Sequence, residues 1–363
     1  MRELVAWLDE PDPDTFPYES VVDGVRRVGK HYVPRELLEA LDKARAATPE
    51  PRLCRFLDTV LDKYDDRYDY LSYLALDLLS MPAVTDDPAV ARRRADQLVV
   101  ALVADVARFE VAVRDGETDL LPQQRPDAAT VAKRLRLASR AMAAARGRVG
   151  ADVPDTRVLS VSMLPVDTLH DEYLFIRVLQ AFETTFALLA VLLRSTVDSV
   201  LAADAAAAQR FLTEAADALG AAAPLFSLLA TMRVSSFRTF RANTEGASAI
   251  QSRNYKLVES LCRRPDPARL DSVAYRSVPE IRAGVLTGQS TVDDALTAVT
   301  RAGRLTPAAI AAVTEAMTRF ATALTRWRQT HYRLAVRMLG DQPGTGYTQG
   351  TPYLSEARAI PVF

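Results

Sequence analysis

The segment LTRWRQTHYRLAVRMLGDQPGTGYTQGTPYL, residues 324–354, places one histidine among apolar residues at helical spacing. Leu324, Trp327, His331, Leu334 and Met338 fall on one face of a helix, while Arg326, Arg328, Arg333 and Arg337 lie mostly elsewhere. A histidine on such a face is usually a core residue with a satisfied hydrogen bond. Its functional reading is a proximal haem ligand: neutral imidazole binds iron through one ring nitrogen, and a flat macrocycle needs an apolar face around that ligand. The neighbouring arginines could pair with propionates, although a solvated basic face is the default for most of them. Gly340 is placed to stop the helix. The glycines that follow, Gly344, Gly346 and Gly350, give a loop that can approach a ligand closely. That loop lacks the lysine of a phosphate-binding loop and follows a helix instead of a strand, so nucleotide binding is rejected.

A second candidate is RVSSFRTFRANTEGASAIQSRNYKLVE, residues 233–259. Phe237 and Arg241 stand one turn apart ahead of a small-residue polar loop. An arginine beside aromatics can clamp a carboxylate with both arms; the plain alternative is a surface arginine at a helix end. The tyrosines of KYDDRYDYLSYLALDLL (63–79) are core residues by default.

These residues sit in a chain of 363 residues with 45 Lys and Arg against 46 Asp and Glu, two cysteines and three histidines. Balanced charge argues against a nucleic-acid partner, which needs a concentrated basic surface. Three histidines make a multi-histidine metal cluster improbable, so a metal held by histidine is expected to be held by one. Cys54 and Cys262 lack metal or redox spacing and suit a reducing cytoplasm. The acidic, proline-rich start does not read as a signal peptide. No run reaches about 18 uninterrupted apolar residues, so no membrane span is expected.

Ala, Leu, Arg, Asp and Glu dominate, and prolines punctuate long apolar-periodic segments. Helices are predicted near 34–47, 52–63, 67–80, 88–114, 127–146, 168–201, 205–219, 224–240, 248–262, 291–302 and 306–339. The architecture is all-α. In the 168–201 helix, Thr168 and Asp171 form a capping-box signature, and Phe175, Leu179, Phe182 and Phe186 form one stripe.

Four blocks together resemble the tryptophan 2,3-dioxygenase superfamily, the haem-dependent aromatic oxygenases. YLSYLALDLL at 70–79 resembles its Tyr-x-x-Tyr-Leu-x-Leu-Asp helix, and HDEYLFIRVLQAFE at 170–183 its His-Asp-Glu-x-Leu-Phe-Ile helix. FRTFRANTEGASAIQSRNYKLVE at 237–259 and WRQTHYRLAVRMLGDQPGTGYTQGTPYL at 327–354 resemble its Phe-Arg…Gln-Ser…Glu and Trp-Arg-x-x-His…Gly-Thr-Gly blocks, in the family's order. The resemblance covers the chain well from about 155 onward and thinly at 64–80. It implies a large helical bundle enclosing haem b, with residues 1–150 an N-terminal helical region whose 64–80 segment reaches the pocket, and 151–363 the haem-binding oxygenase domain.

By the resemblance, His331 ligates the iron with Trp327 beside it, and O2 is co-substrate. Arg241 holds the substrate carboxylate and Thr345 its ammonium. Phe175, Phe237 and Ser248 line the distal pocket. Tyr70 and Tyr73 match tyrosines that close it, in the family often from a neighbouring subunit, which implies a homo-oligomer, dimer or tetramer. Three departures stand out. Leu179 occupies the place of the distal histidine and cannot move a proton, as the related indoleamine enzymes also lack that base. Tyr347 adds bulk and a hydroxyl to the glycine-rich loop. The stretch from Arg241 to His331 is shorter than in the standard dioxygenases. The expected activity is oxygen insertion at indole C2/C3 of tryptophan or a substituted tryptophan, by dioxygenation to an N-formylkynurenine-type product or monooxygenation to a 2-oxindole. A haem sensor or carrier on the same fold and a cofactor-free helical interaction module are the alternatives.

Overall fold

A computed structural model describes residues 2–146, 156–340 and 351–363. Four amphipathic helices come first: α1 (Arg2–Asp9), α2 (Tyr18–Val28), α3 (Arg35–Ala47) and α4 (Pro51–Val60). They bury Trp7, Val25, Leu41 and Phe56 against one another in a cluster of their own, which Val161 and Leu164 complete from further along the chain. A second, larger cluster holds most of the remaining elements, and Leu270, Tyr275, Val278, Ile281 and Val285 form a small third one. Those remaining elements are α5 (Tyr70–Tyr73), α6 (Pro88–Arg114), α7 (Ala128–Arg146), α8 (Thr156–Val161), α9 (His170–Leu201), α10 (Ala205–Ala221), α11 (Ala223–Leu229), α12 (Val234–Asn243) and α13 (Arg253–Cys262). Three short helices follow, α14 (Pro267–Leu270), α15 (Val273–Arg276) and α16 (Pro279–Leu286), then α17 (Val292–Arg301), α18 (Pro307–Leu339) and α19 (Thr351–Ala359). Among the described residues there is no β-strand, only an isolated parallel bridge between Gln123 and Leu169. The all-α expectation holds.

The central element is α9. It packs against α6, α10 and α13, and α18 crosses α10. By length and composition α9 and the stretch Ala205–Leu229 could each cross a membrane, but the apolar window of α9 is 94% buried inside the protein. Its hydrophobicity serves the core.

Four expectations change on folding, the simplest being the 248–262 helix, which becomes a 3-10 turn at Ala249–Gln251 and then α13, with Ser252 extended between them. The 67–80 helix becomes α5 followed by a short 3-10 turn at Leu76–Leu78, with Ala75 at φ 49° between them. The cause is competition for the backbone: Gln251 Oε1 accepts the Tyr70 N–H (3.1 Å) and Gln180 Nε2 donates to the Leu74 carbonyl (2.8 Å). The 224–240 helix breaks between α11 and α12, where Arg134 Nε donates to the Thr231 hydroxyl (2.9 Å) and Asp171 accepts the Arg233 N–H (2.8 Å). The capping box at Thr168 does not form. Leu169 is the N-cap with no side-chain cap, because Asp171 is drawn to Arg134 instead. Gly340 ends α18, as expected.

The N-terminal cluster docks through the turn after α2. Gly29 takes φ 84°, letting Lys30 and His31 donate their N–H groups to the carbonyls of Pro165 (2.8 Å) and Val166 (3.2 Å). A Cβ at Gly29 would lie 2.6 Å from the Val166 carbonyl oxygen and 2.8 Å from the Asp167 Cα. Gly29→Ala is therefore expected to cost about 1–3 kcal/mol through backbone strain and this clash. Chemical denaturation should show the loss, and a variant as stable as the parent would refute the docking role.

Candidate active site

One cavity, about 1630 Å³ including its open mouth, lies among α5, α9, α12, α13, α18 and α19. Its floor is the stripe on α9: Phe175, Leu179, Phe182 and Phe186, three or four residues apart and hence on one side of the helix. Phe237 and Phe240 of α12 pack on Phe175, with ring centres 5.7 and 5.2 Å away. These rings form an aromatic cage at one end.

His331 lines the facing wall on α18. Its ring stacks on Trp327, centroids 5.2 Å apart and planes 23° apart. Trp327 in turn meets Phe182, Phe186 and Phe226 at 5.7, 5.0 and 5.5 Å. The imidazole lies deep in the protein yet keeps part of its surface open, because it faces the cavity. Burial pushes its pKa down to about 4, so it is neutral near pH 7. Among the described residues its ring nitrogens find no hydrogen-bond partner, and the Trp327 indole N–H is buried without one. A neutral imidazole with a free nitrogen, aimed into apolar space, is a competent metal ligand.

The remaining expected residues converge here with two exceptions. Arg241 lines the same cavity from α12, half-buried, and desolvation lowers its pKa. Ser248 caps a 3-10 turn at Ala249–Gln251, with Gln251 Oε1 accepting the Ser248 N–H at 3.0 Å. Tyr70 and Tyr73 reach this chain's own cavity, not a neighbour's. Their hydroxyls donate to Glu183 (3.2 Å) and Glu172 (3.3 Å), both on α9. They therefore give no reason to invoke a second subunit. Leu179 is on the floor. Thr345 and Tyr347 lie outside the described residues.

Buried charges hold this arrangement. Arg134 of α7 donates to Glu110 of α6 (2.7 Å) and to Asp171 of α9, and Asp171 also fixes the first residue before α12. His170 lies 3.2 Å from the second Glu110 oxygen. Glu172 accepts the N–H groups of Val166 (2.8 Å) and Asp167 (3.0 Å), although burial still pushes its pKa up to about 8. Arg177 donates to Asp105 (2.8 Å) and Ser162 (3.0 Å).

Several cavity residues escaped the reading of residue types. Glu183, Tyr255 and Lys256 lie in blocks already singled out, but nothing in a helical repeat marks a polar residue as cavity-facing. Arg134 carried no signal, since a lone arginine in a helix reads as solvent-facing.

The class is thus an all-α protein whose long central helix floors an aromatic cavity opposite a single neutral histidine. No family model matches the chain. It is similar to the tryptophan 2,3-dioxygenase of Polaromonas sp. (strain JS666 / ATCC BAA-500), 26% identical over 233 residues, which is 55% of this chain and 79% of that protein. It is also similar to the tryptophan 2,3-dioxygenases of Nocardioides sp. (strain ATCC BAA-499 / JS614), 26% identical over 51% of this chain and 79% of that protein, and of Anaeromyxobacter dehalogenans (strain 2CP-C), 24% identical over 56% and 88%. These similarities, at about a quarter identity over roughly half of the chain, support a distant relationship to the tryptophan 2,3-dioxygenase superfamily.

Replacing Arg134 by leucine leaves Glu110 and Asp171 buried without their cation, a loss of about 3–5 kcal/mol at pH 7. Desolvation raises the pKa of Glu110, but the His170 contact and the Arg134 charge outweigh it, so the net shift is below the ordinary 4.5. The parent's advantage is then full above that value and lost as pH falls through the depressed one. Urea unfolding from pH 7 down to pH 4 and below should show the gap between parent and variant narrowing. A gap constant with pH would contradict the ion-pair account.

Proposed function

We propose that the protein is a haem-dependent oxygenase of tryptophan or a substituted tryptophan. The observation that carries this reading is the opposition, across one cavity, of a neutral histidine with a free ring nitrogen and a phenylalanine cage flanked by arginine. The residues present fit a haem. His331 supplies one imidazole donor, and Trp327, Phe182, Phe186 and Phe226 supply an apolar surround. When bound, haem supplies activation of O2 and the oxidising power; the protein supplies binding, orientation and exclusion of water.

Each chain residue then has a role. Arg241 binds the substrate carboxylate, and Thr345 receives the ammonium. Phe175 and Phe237 hold the indole by edge and face contacts, with Ser248 and Leu179 bordering it. Tyr70 and Tyr73, fixed by Glu183 and Glu172, close the side of the cavity. Leu179 has no titratable atom, so no proton moves there. Oxygen insertion at the indole C2–C3 bond gives an N-formylkynurenine-type product. A single insertion to a 2-oxindole is the second reading, favoured by the altered loop residue Tyr347; it requires an external two-electron donor that reduces the second oxygen atom of O2 to water. The functional unit is residues 151–363, completed by the 64–80 segment.

Two tests follow. His331→Ala is expected to abolish the Soret band of protein purified with haem while leaving the helical circular dichroism intact; an unchanged Soret band would sink the assignment. Mass spectrometry of products from reduced protein, O2 and a panel of tryptophan derivatives should show a gain of two oxygen atoms, or of one for the single-insertion reading. Arg241→Ala should weaken substrate binding by about 2 kcal/mol or more, since a desolvated carboxylate loses its charged partner. A haem sensor would instead bind haem, form no oxidised product and show no spectral response to amino acids.

A further inference from the structure

The cavity is more cationic than one amino-acid carboxylate requires. Arg241, Lys256, Arg269, Arg328 and Arg358 line it, against a single acidic residue among the described ones, Glu183. Partners are plain for the three arginines near the C-terminal helices. Arg269 is bidentate on Glu259 (2.9 and 3.1 Å), Arg328 donates to the Tyr255 hydroxyl (2.8 Å) and the Ile360 carbonyl, and Arg358 donates to Gln329 (2.9 Å). Lys256 on α13 is different. It is 2% exposed, yet among the described residues its ammonium makes no hydrogen bond and no ion pair, only a contact with the Tyr255 ring at 5.0 Å.

The nearby carboxylates are already engaged. Glu183 accepts from Tyr70 (3.2 Å) and Asn254 (3.1 Å), with Ser252 a further donor, and both oxygens of Glu259 are taken by Arg269. Desolvation lowers the Lys256 pKa to about 8. Glu259 and Glu183 oppose this shift, while Arg269 and Arg328 add to it. The group is still mostly cationic at pH 7, and a buried cation without a counter-charge is costly.

Its position separates it from Arg241. The α12 end of the cavity packs on Phe175, whereas Asn254 and Tyr255 of α13 pack on Glu183 and Phe186. Phe175 and Glu183 are eight residues apart on α9, about 12 Å along the axis. One small carboxylate held by Arg241 does not also reach Lys256. Tyr255 lies 5.7 Å from Trp327, which stacks on His331, so Lys256 belongs to the His331 end.

We propose that Lys256 is a second carboxylate-recognition residue of this cavity, pairing with an acid group presented at the His331 end. The inference rests on the haem-oxygenase reading for one of two sources of that carboxylate: a propionate of the porphyrin held by His331, or an acid group on the ring side of an aromatic substrate.

The test uses the haem-loaded protein, with Lys256→Met removing the charge, Lys256→Gln as a second neutral variant and Lys256→Arg restoring charge. Transfer of haem, and of haem dimethyl ester, to excess apomyoglobin gives the release rates. Titration with tryptophan and with an indole amino acid carrying a ring carboxylate gives the affinities. If the propionate is the partner, the neutral variants release haem at least about tenfold faster, the arginine variant stays near the parent, and the difference vanishes with the dimethyl ester. If the substrate is the partner, haem release is unchanged and only the ring-carboxylated probe loses about tenfold or more in affinity. Equal haem release and equal affinities in parent and neutral variants overturn the proposal. If neutral variants do not fold, the parent decides: equal release of haem and its ester, together with no preference for the ring-carboxylated probe, also overturns it. A parent without a Soret band removes the haem reading instead, and the probe titration, followed by intrinsic fluorescence, still tests Lys256.

Discussion

The structure depends on the burial of a polar helix. α9 runs through the centre of the large cluster, and its first half carries His170, Asp171, Glu172, Arg177, Gln180 and Glu183, all buried. Buried polar groups must be paired or they cost more than burial returns. All but His170, whose ring nitrogens make no hydrogen bond among the described residues, are hydrogen-bonded to a different part of the chain. Asp171 takes Arg134 of α7 and the backbone ahead of α12; Glu172 takes the 166–167 backbone and Tyr73. Arg177 and Gln180 take α6, the 159–162 turn and the Leu74 carbonyl; Glu183 takes Tyr70 and Asn254. Satisfying one helix therefore fixes the neighbours that wall the cavity.

The same pairing accounts for the division of the cavity. The apolar stripe of α9 needs no partner beyond packing, so it can floor an empty space without leaving an orphaned polar group. The polar side is consumed in holding α5, α7 and the α11–α12 break, which sets where α12 begins and hence where Phe237 and Arg241 point. At the other end, Tyr255, Trp327 and His331 form a continuous aromatic series with ring centres 5.7 and 5.2 Å apart. A ligand there meets flat apolar surface with one nitrogen donor. The arginine and lysine groups lie at separate ends, which suits a cargo with acid groups well apart.

Most of the helical framework was legible from residue spacing. The 88–114 segment matches α6, and the 306–339 segment matches α18 to within a residue, because proline and aspartate or threonine starts and a glycine stop are local signals. The short N-terminal helices α1 and α2 and the run α14–α16 went unread, since eight residues or fewer, or a charged surface, give little period to detect. The 67–80 and 224–240 helices were drawn too long for one reason: side chains far away in sequence, Gln180, Gln251, Arg134 and Asp171, claim the backbone groups that a continuous helix would use.

From local period followed the all-α class, and from the resemblance of four motif blocks the expectation that His331, Trp327, Arg241, Phe175, Phe237, Ser248, Leu179, Tyr70 and Tyr73 share one site; all nine line one cavity. These are properties of local period and of matching motif order. Only the tertiary structure decided that Tyr70 and Tyr73 serve their own chain, that Asp171 abandons its cap for Arg134, and that Lys256 faces the cavity without a partner. Each of those is settled by competition between distant groups for the same hydrogen bond or counter-charge in a medium without water, and no interval along the chain records who wins.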